Sequence, residues 1–266
     1  MDLELKGKVA LITGGSRGIG KAIAHELAAE GCDIAIAARD PERLKAATAE
    51  IAAATGRRVV GFQVDTGDDA SVKAMVAAAL AEFGRIDILV NNAAVAGGQG
   101  AVPTLEGITE AAFFADMNVK VMGYLRCARE IAPLMKAQGW GRIINISGLA
   151  ARQSGSTIGS MRNVAVAAMT KNLADELGPF GINVTVVHPG LTRTEATPGV
   201  IAARSKAASI TEAEMETRMA EGNVVRRIID AREIAHIVAF LASPKSIAIT
   251  GDAIAAGGGS LRAIHY

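Results

Sequence analysis

The sequence predicts a single doubly wound α/β domain, residues 1–266, with a seven-stranded parallel sheet flanked by helices on both faces. Three observations carry this reading. Short runs that are apolar nearly throughout alternate with longer amphipathic stretches along the chain, as parallel strands covered on both faces require. No Pro/Ser-rich linker, fixed-period repeat or low-complexity tract divides the chain, and 266 residues can share one core. Composition is 50% hydrophobic and 21% charged but only 3% aromatic, so that core must be built from Ala, Val, Ile, Leu and Met.

Taken in order, the strand candidates are residues 9–13, 33–38, 58–65, 86–93, 141–147 and 182–190, with a seventh at 248–258. Helical patterns fill 18–30, 41–54, 69–83, 109–137, 160–177 and 231–242. The least patterned stretch, 191–226, follows a strand's C-terminal end, where open α/β sheets bind ligands, and reads as a mobile substrate lid.

Twenty-eight Lys and Arg against 27 Asp and Glu leave a formal net charge of +1, which argues against nucleic-acid or anionic-membrane partners. The N-terminus MDLELKGK lacks the apolar run of a signal peptide, and no segment reaches the roughly 18 consecutive apolar residues of a membrane span. A cytoplasmic location is expected. Cys32 and Cys127 read as core thiols in a reducing compartment, one disulfide being the other option. No metal site is expected.

Residues 13–20, Thr-Gly-Gly-Ser-Arg-Gly-Ile-Gly, stand between the first strand and the first helix. Glycines there let the backbone turn sharply and approach a pyrophosphate, to which the helix N-terminus offers free N–H groups and a positive dipole end.

The spacing is TGxxxGxG rather than GxGxxG, and in this the chain resembles the short-chain dehydrogenase/reductase family. The resemblance runs over the whole length. Asn91-Asn92-Ala93-Ala94 resembles the family's NNAG with Ala for the final Gly, Asn118 is matched to its helix-four position, and Pro189-Gly190 with Thr192 and Thr194 resembles PGxxxT. Gly251 and Gly257-Gly258 resemble its C-terminal glycines. The resemblance implies a Rossmann-type fold and an NAD(P)(H)-binding oxidoreductase acting on a small carbonyl or hydroxyl compound. It assigns cofactor binding to Gly14, Ser16, Arg17, Gly18, Ile19, Gly20, Arg39, Asp65, Thr66, Asn92, Ala93, Pro189, Gly190, Thr192 and Thr194. No acid closes the second strand; Ala38 is followed by Arg39, and Arg17 lies in the glycine loop. Two guanidinium forks suit a ribose 2′-phosphate, so NADP(H) is expected in preference to NAD(H), unless both arginines are simply solvated loop residues.

The family's reduction uses Ser, Tyr and, four residues after the Tyr, Lys. Here the segment Thr170-Lys171-Asn172-Leu173-Ala174-Asp175-Glu176-Leu177 resembles the family's SKSLAREL. Counting back twelve from Lys171 puts Gly159 at the Tyr position and Asn163 at the Lys position, while Gly148, after Ser147, falls at the Ser position. Losing the proton donor removes a contribution typically worth ~10²–10⁴-fold in rate. Three readings compete: an oxidoreductase with a non-standard site, a lyase or isomerase reusing the cavity, and a catalytically inactive NADP(H)-binding sensor or partner subunit. The first is preferred. Its catalytic residues are expected to be Asn118, Ser147, Arg162 and Asn163, with Ser156, Ser160 or His188 as alternative acids. His188 reads first as a structural strand-end residue.

In relatives the helices matching 109–137 and 160–177 pair across a dimer interface, so the resemblance implies a homotetramer or homodimer. The stripes could equally face only the chain's own sheet. Basic residues in 191–226 hint at an acidic substrate, though a solvated helix face explains them as well, and the tail 261–266 could reach a neighbouring subunit's pocket.

Overall fold

The computed structural model describes residues 1–94 and 102–261, so the tail from residue 262 onward lies outside the described residues. The first half alternates β1 (Val9–Thr13), α1 (Gly18–Ala29), β2 (Asp33–Ala38), α2 (Pro41–Thr55), β3 (Val59–Gln63), α3 (Asp69–Phe83) and β4 (Ile88–Asn91). A continuous helical segment follows, made of α4 (Glu110–Met117), a π-helical turn over Asn118–Met122, and α5 (Gly123–Gln138). Then come β5 (Gly141–Ile146), α6 (Thr157–Leu177), β6 (Ile182–Pro189), β7 (Thr192–Arg193), α7 (Thr197–Ala208), α8 (Glu212–Ala220), β8 (Ile229–Asp230), α9 (Ala231–Ala242) and β9 (Ala253–Ala256). Seven strands form one parallel sheet in the order β3-β2-β1-β4-β5-β6-β9, and β7 pairs with β8 separately.

Alternation within each strand explains the two covering layers. On β1, Ala10 and Ile12 enter the core shared with α1, α2 and α9, while Leu11 enters the core under α3, α5 and α6. On β2, Ile34 and Ile36 take the first side and Ala35 and Ala37 the second. These residues are all fully buried, which is why the strands carry no polar alternation. Cys32 and Cys127 are free thiols in these two cores, and burial pushes both up to about 12.

Helix starts follow local chemistry. Asp40 accepts from the N–H groups of Glu42 and Arg43 with Pro41 in the first turn of α2, and Asp68 caps α3 through Ser71 N–H. Two expectations are sharpened. The stretch 191–226 is not patternless: Thr211 and Glu214 close a capping box on α8, and α7 starts on Thr197-Pro198. The helix expected over 109–137 is interrupted by the π turn, which adds a residue to the winding. No helix of the described residues is long and apolar enough to cross a membrane.

Strand order reverses between β1 and β4, and their C-terminal ends open the crevice where ligands bind in such sheets. Polar side chains knit this edge together. Asn91 donates to Asn145 Oδ1 at 2.9 Å, Asn145 donates to Thr170 Oγ1 at 2.9 Å, and Thr170 donates to Val166 O at 2.8 Å. The chain joins β4, β5 and α6, with Asn91 Oδ1 left buried and without a partner among the described residues.

Candidate active site

Two adjoining cavities lie at the C-terminal ends of the strands. The first, about 400 Å³, is walled by Gly14, Ser16, Arg17, Gly18, Ile19, Ala38, Arg39, Arg43, Thr66, Asn92, Ala93 and Thr194, among others. Thr13 Oγ1 accepts from the N–H groups of Asn92 and Ala93 at 3.0 and 3.2 Å, and Asn92 Nδ2 donates to Gly14 O at 3.0 Å. The glycine loop is thereby tied to the end of β4. A Cβ on Gly20 would stand 2.3 Å from Gly14 O, so only glycine permits this closure.

The cavity fits a dinucleotide. Helix α1 begins at Gly18 with no side-chain cap on its first N–H groups. The oxygen that Gly18 N–H does find is Glu195 Oε1, at 2.8 Å, a carboxylate standing where the N-terminus attracts an anion. Arg17, Arg39 and Arg43 stand at one end, and Asp40 there is turned to the N-terminus of α2 and to Arg43, 3.2 Å away.

Several assigned residues sit differently. Asp65 and Gly20 do not line the cleft; Asp65 Oδ1 closes a turn onto Gly67 N–H and Gly20 is packed against the loop. Thr192 bonds Gly190 O at 3.0 Å, and Pro189 and Gly190 line the neighbouring cavity instead.

That second cavity is about 600 Å³ and is lined by Ser147, Gly148, Ser156, Gly159, Arg162 and Asn163, with Pro189 and Gly190 toward the cleft and Met219, Gly222 and Asn223 from the end of α8 and the turn after it. A Cβ on Gly159 would touch only Ser156, leaving open the space where a side chain from this turn of α6 would project. Tyr124 does not fill it: it is wholly buried, its hydroxyl donates to Ile146 O at 2.8 Å, and burial pushes the phenol up; Tyr266 lies outside the described residues. Ser156 caps α6 through Gly159 N–H, Ser160 donates to Gln153 O, and His188 is buried at the end of β6 without lining the cavity.

Of the expected catalytic residues, Ser147, Arg162 and Asn163 converge on this cavity, and Asn118 does not. Asn118 donates to Gly67 O at 3.0 Å and accepts from Arg126 at 2.7 Å, facing α3's entry loop. The π turn explains the miss: it turns residue 120, not 118, toward β5 and α6. Lys120 Nζ donates to Ser147 O at 3.0 Å and to Asn163 Oδ1 at 3.1 Å. Only 3% of the residue is exposed. Burial pushes its amine down to about 7; the charge of Arg162 works in the same direction and Asp116 against it. Arg162 is itself held by Asp116, its Nη1 donating to both carboxylate oxygens at 2.7 and 2.9 Å, with its Nε buried and without a partner among the described residues. Ser147's hydroxyl donates to Asn163 O at 3.1 Å.

Lys120 was legible as an anomaly. It is the one cation on the helix stripe Lys120, Tyr124, Cys127, Ala128, Ile131 and Met135, all buried. The basic residues of 191–226 do not line this cavity; Arg193, for one, pairs with Glu216.

Residues 14–260 match the family described as enoyl-(acyl carrier protein) reductase. The chain is a short-chain dehydrogenase/reductase. It is 37% identical to the short-chain reductase protein NovJ of Streptomyces niveus, over 94% of this chain and 93% of that one. It is 31% identical to the NADPH-dependent reductase BacG of Bacillus subtilis, over 97% and 99%. Among solved structures, L-sorbose reductase from Gluconobacter frateurii, complexed with NADPH and L-sorbose, superposes with a TM-score of 0.92 at 31% identity, covering 99% and 100%.

Proposed function

We propose that this short-chain dehydrogenase/reductase is an NADP(H)-preferring oxidoreductase of a small carbonyl or hydroxyl compound, working through a non-standard catalytic site. The observation that carries the reading is the cleft walled by the glycine loop, Arg17 and Arg39, beside a cavity whose lining, among the described residues, keeps polar groups but no phenol. Arg17 and Arg39 would hold the 2′-phosphate, the N–H groups opening α1 the pyrophosphate, and Asn92, Ala93 and Thr194 the nicotinamide side. When bound, the cofactor supplies or accepts the hydride. Asn163 and Arg162 face the carbon's oxygen, and the buried Lys120 and part-buried Arg162 against Asp116 make this wall favourable to developing negative charge. Relatives described as NADPH-dependent or NADPH-bound support the cofactor preference. Exposed Leu125 on α5 and Met161 and Val164 on α6 support a homodimer or homotetramer paired through these helices.

Titration of the protein with NADPH and NADH by fluorescence, followed by absorbance assays on a panel of carbonyl and enone compounds, tests this. NADPH is expected to bind about tenfold tighter or better, the worth of one or two charged hydrogen bonds, and to be consumed with at least one carbonyl compound. Equal affinity removes the phosphate assignment, and binding without turnover across the panel removes the reductase.

A further inference from the structure

Lys120 and Asn163 lie 43 positions apart in sequence, yet their side chains meet end to end behind the cavity wall. An asparagine amide has one accepting end and one donating end. The ammonium of Lys120 takes the accepting end, Oδ1, at 3.1 Å. The donating end is thereby aimed at the cavity: Asn163 Nδ2 is the atom that a Cβ on Gly148 would meet, at 3.0 Å. Among the described residues, Nδ2 has no acceptor of its own. Gly148 is therefore the residue that leaves the amide reachable, and Gly159, one turn before Asn163 on α6, leaves the approach open. Ser147 holds both partners, its carbonyl accepting from Lys120 and its hydroxyl donating to Asn163 O.

We propose that Asn163 Nδ2 donates the hydrogen bond to the substrate oxygen that becomes negatively charged as hydride reaches its carbon, and that Lys120 is the positioning residue which fixes and polarises this amide. The inference rests on the reductase reading above. A cation on Oδ1 draws electron density from the amide and strengthens its N–H donors, an effect enlarged by the burial of both Lys120 and Asn163. In the step, hydride forms a C–H bond at the carbonyl carbon, the C=O π pair moves to oxygen, and that oxygen, held by Nδ2, takes a proton from cavity water, which solvent replenishes. The nicotinamide is oxidised, the carbonyl is reduced, and one proton is consumed.

The charged groups facing Lys120 are Arg162 from α6 and Asp116 from α4; β5 and the residue after it offer only the Ser147 carbonyl, and α5 offers the neutral Tyr124. The amine is charged below neutrality and uncharged above it, so kcat is expected to fall as pH rises through about 7.

Three variants test this by steady-state reduction with NADPH across pH. Asn163→Asp, which keeps a partner for Lys120 but removes the donor, should lose about 10²–10³ in kcat, the cost of one oxyanion donor. Lys120→Met should lose about tenfold or more within that ceiling, with KM for NADPH unchanged and the descent near neutrality abolished. Lys120→Arg should recover part of kcat and hold it at alkaline pH. A readout independent of turnover is the carbon NMR titration of Cε-labelled lysines in the free protein: one signal, absent in Lys120→Met, should titrate near neutrality and move in Asn163→Asp. Unchanged kcat in Lys120→Met, or a loss confined to NADPH affinity, overturns the inference while the reductase reading stands. A wild type that reduces no carbonyl compound overturns both, and a Lys120 signal titrating with ordinary lysines overturns the inference whatever the activity.

Discussion

The cofactor cleft and the catalytic cavity adjoin each other, and each depends on glycine for an opposite reason. At the cleft, Gly14 in its wall and Gly20 packed behind the loop are compelled: a Cβ would press on Ala93 Cα at 2.9 Å or Gly14 O at 2.3 Å, and Gly14 holds φ +66. In the cavity, Gly159 is not compelled by backbone: among the described residues a Cβ would meet only the Ser156 side chain, at 3.0 Å. Forced glycines mark a surface shaped to a ligand's backbone-close groups. The unforced one marks space given up, which a bulkier substrate can occupy. The comparison also separates their chemistry, since the cleft binds with main-chain N–H groups and guanidinium forks and the cavity with a buried amine and an amide.

The largest effect expected is a gain. Placing Tyr and Lys at 159 and 163 sets two ammonium groups side by side, because Lys120 already stands 3.1 Å from Asn163 Oδ1. Gly159→Tyr with Asn163→Lys should therefore remain poor in ketone reduction, whereas adding Lys120→Asn should raise kcat/KM by ~10²-fold or more, within the range of a positioned general acid. NADPH oxidation with simple ketones measures it. If the double variant matches the triple one, Lys120 does not control position 163.

A smaller effect is expected in the cleft. Arg17→Ala combined with Arg39→Ala should cost NADPH about 10²-fold in affinity, two charged hydrogen bonds' worth, and leave NADH nearly untouched. Fluorescence titration of both nucleotides reads the ratio; a parallel loss for NADH would mean the arginines shape the loop rather than hold a phosphate.

The smallest is on stability. The amine of Lys120 falls from 10.5 to about 7 on folding, so between these values the unfolded chain binds the extra proton. Stability must then decline as pH falls through that window and level off below about 7. The thermal midpoint of Lys120→Met minus that of wild type should accordingly rise on acidification from alkaline pH and hold steady below neutrality. Calorimetry at matched ionic strength checks this, and a constant gap contradicts the burial of a titrating amine.

The cleft was largely legible because its constraint is local: Gly14 to Gly20 lie together, and strand, loop and helix follow one another. Arg17 and Arg39 were found for the same reason, by where the first two strands end. The catalytic wall was only half legible. Gly159 and Asn163 could be registered against Lys171 and Gly148 by following Ser147 at the end of the fifth strand, but the partner of Asn163 comes from another helix. Its orientation depends on a π turn, and no periodic rule places residue 118 apart from residue 120 there. The expectation for Asn118 failed at this point. An isolated cation in an apolar stripe was the signal available.

That turn also bears on how the protein could change over time. An α-helix places about 3.6 residues in each turn, and the π turn carries one more. One residue lost from 118–122 would return the segment to α winding, with Asp116 still beside Arg162 and Tyr124 still beside Ile146 O. The side chains within the turn would change places, and Lys120 would no longer be the one set against Asn163. A change of length by one residue here would exchange the group behind the cavity wall while leaving the frame around it in register.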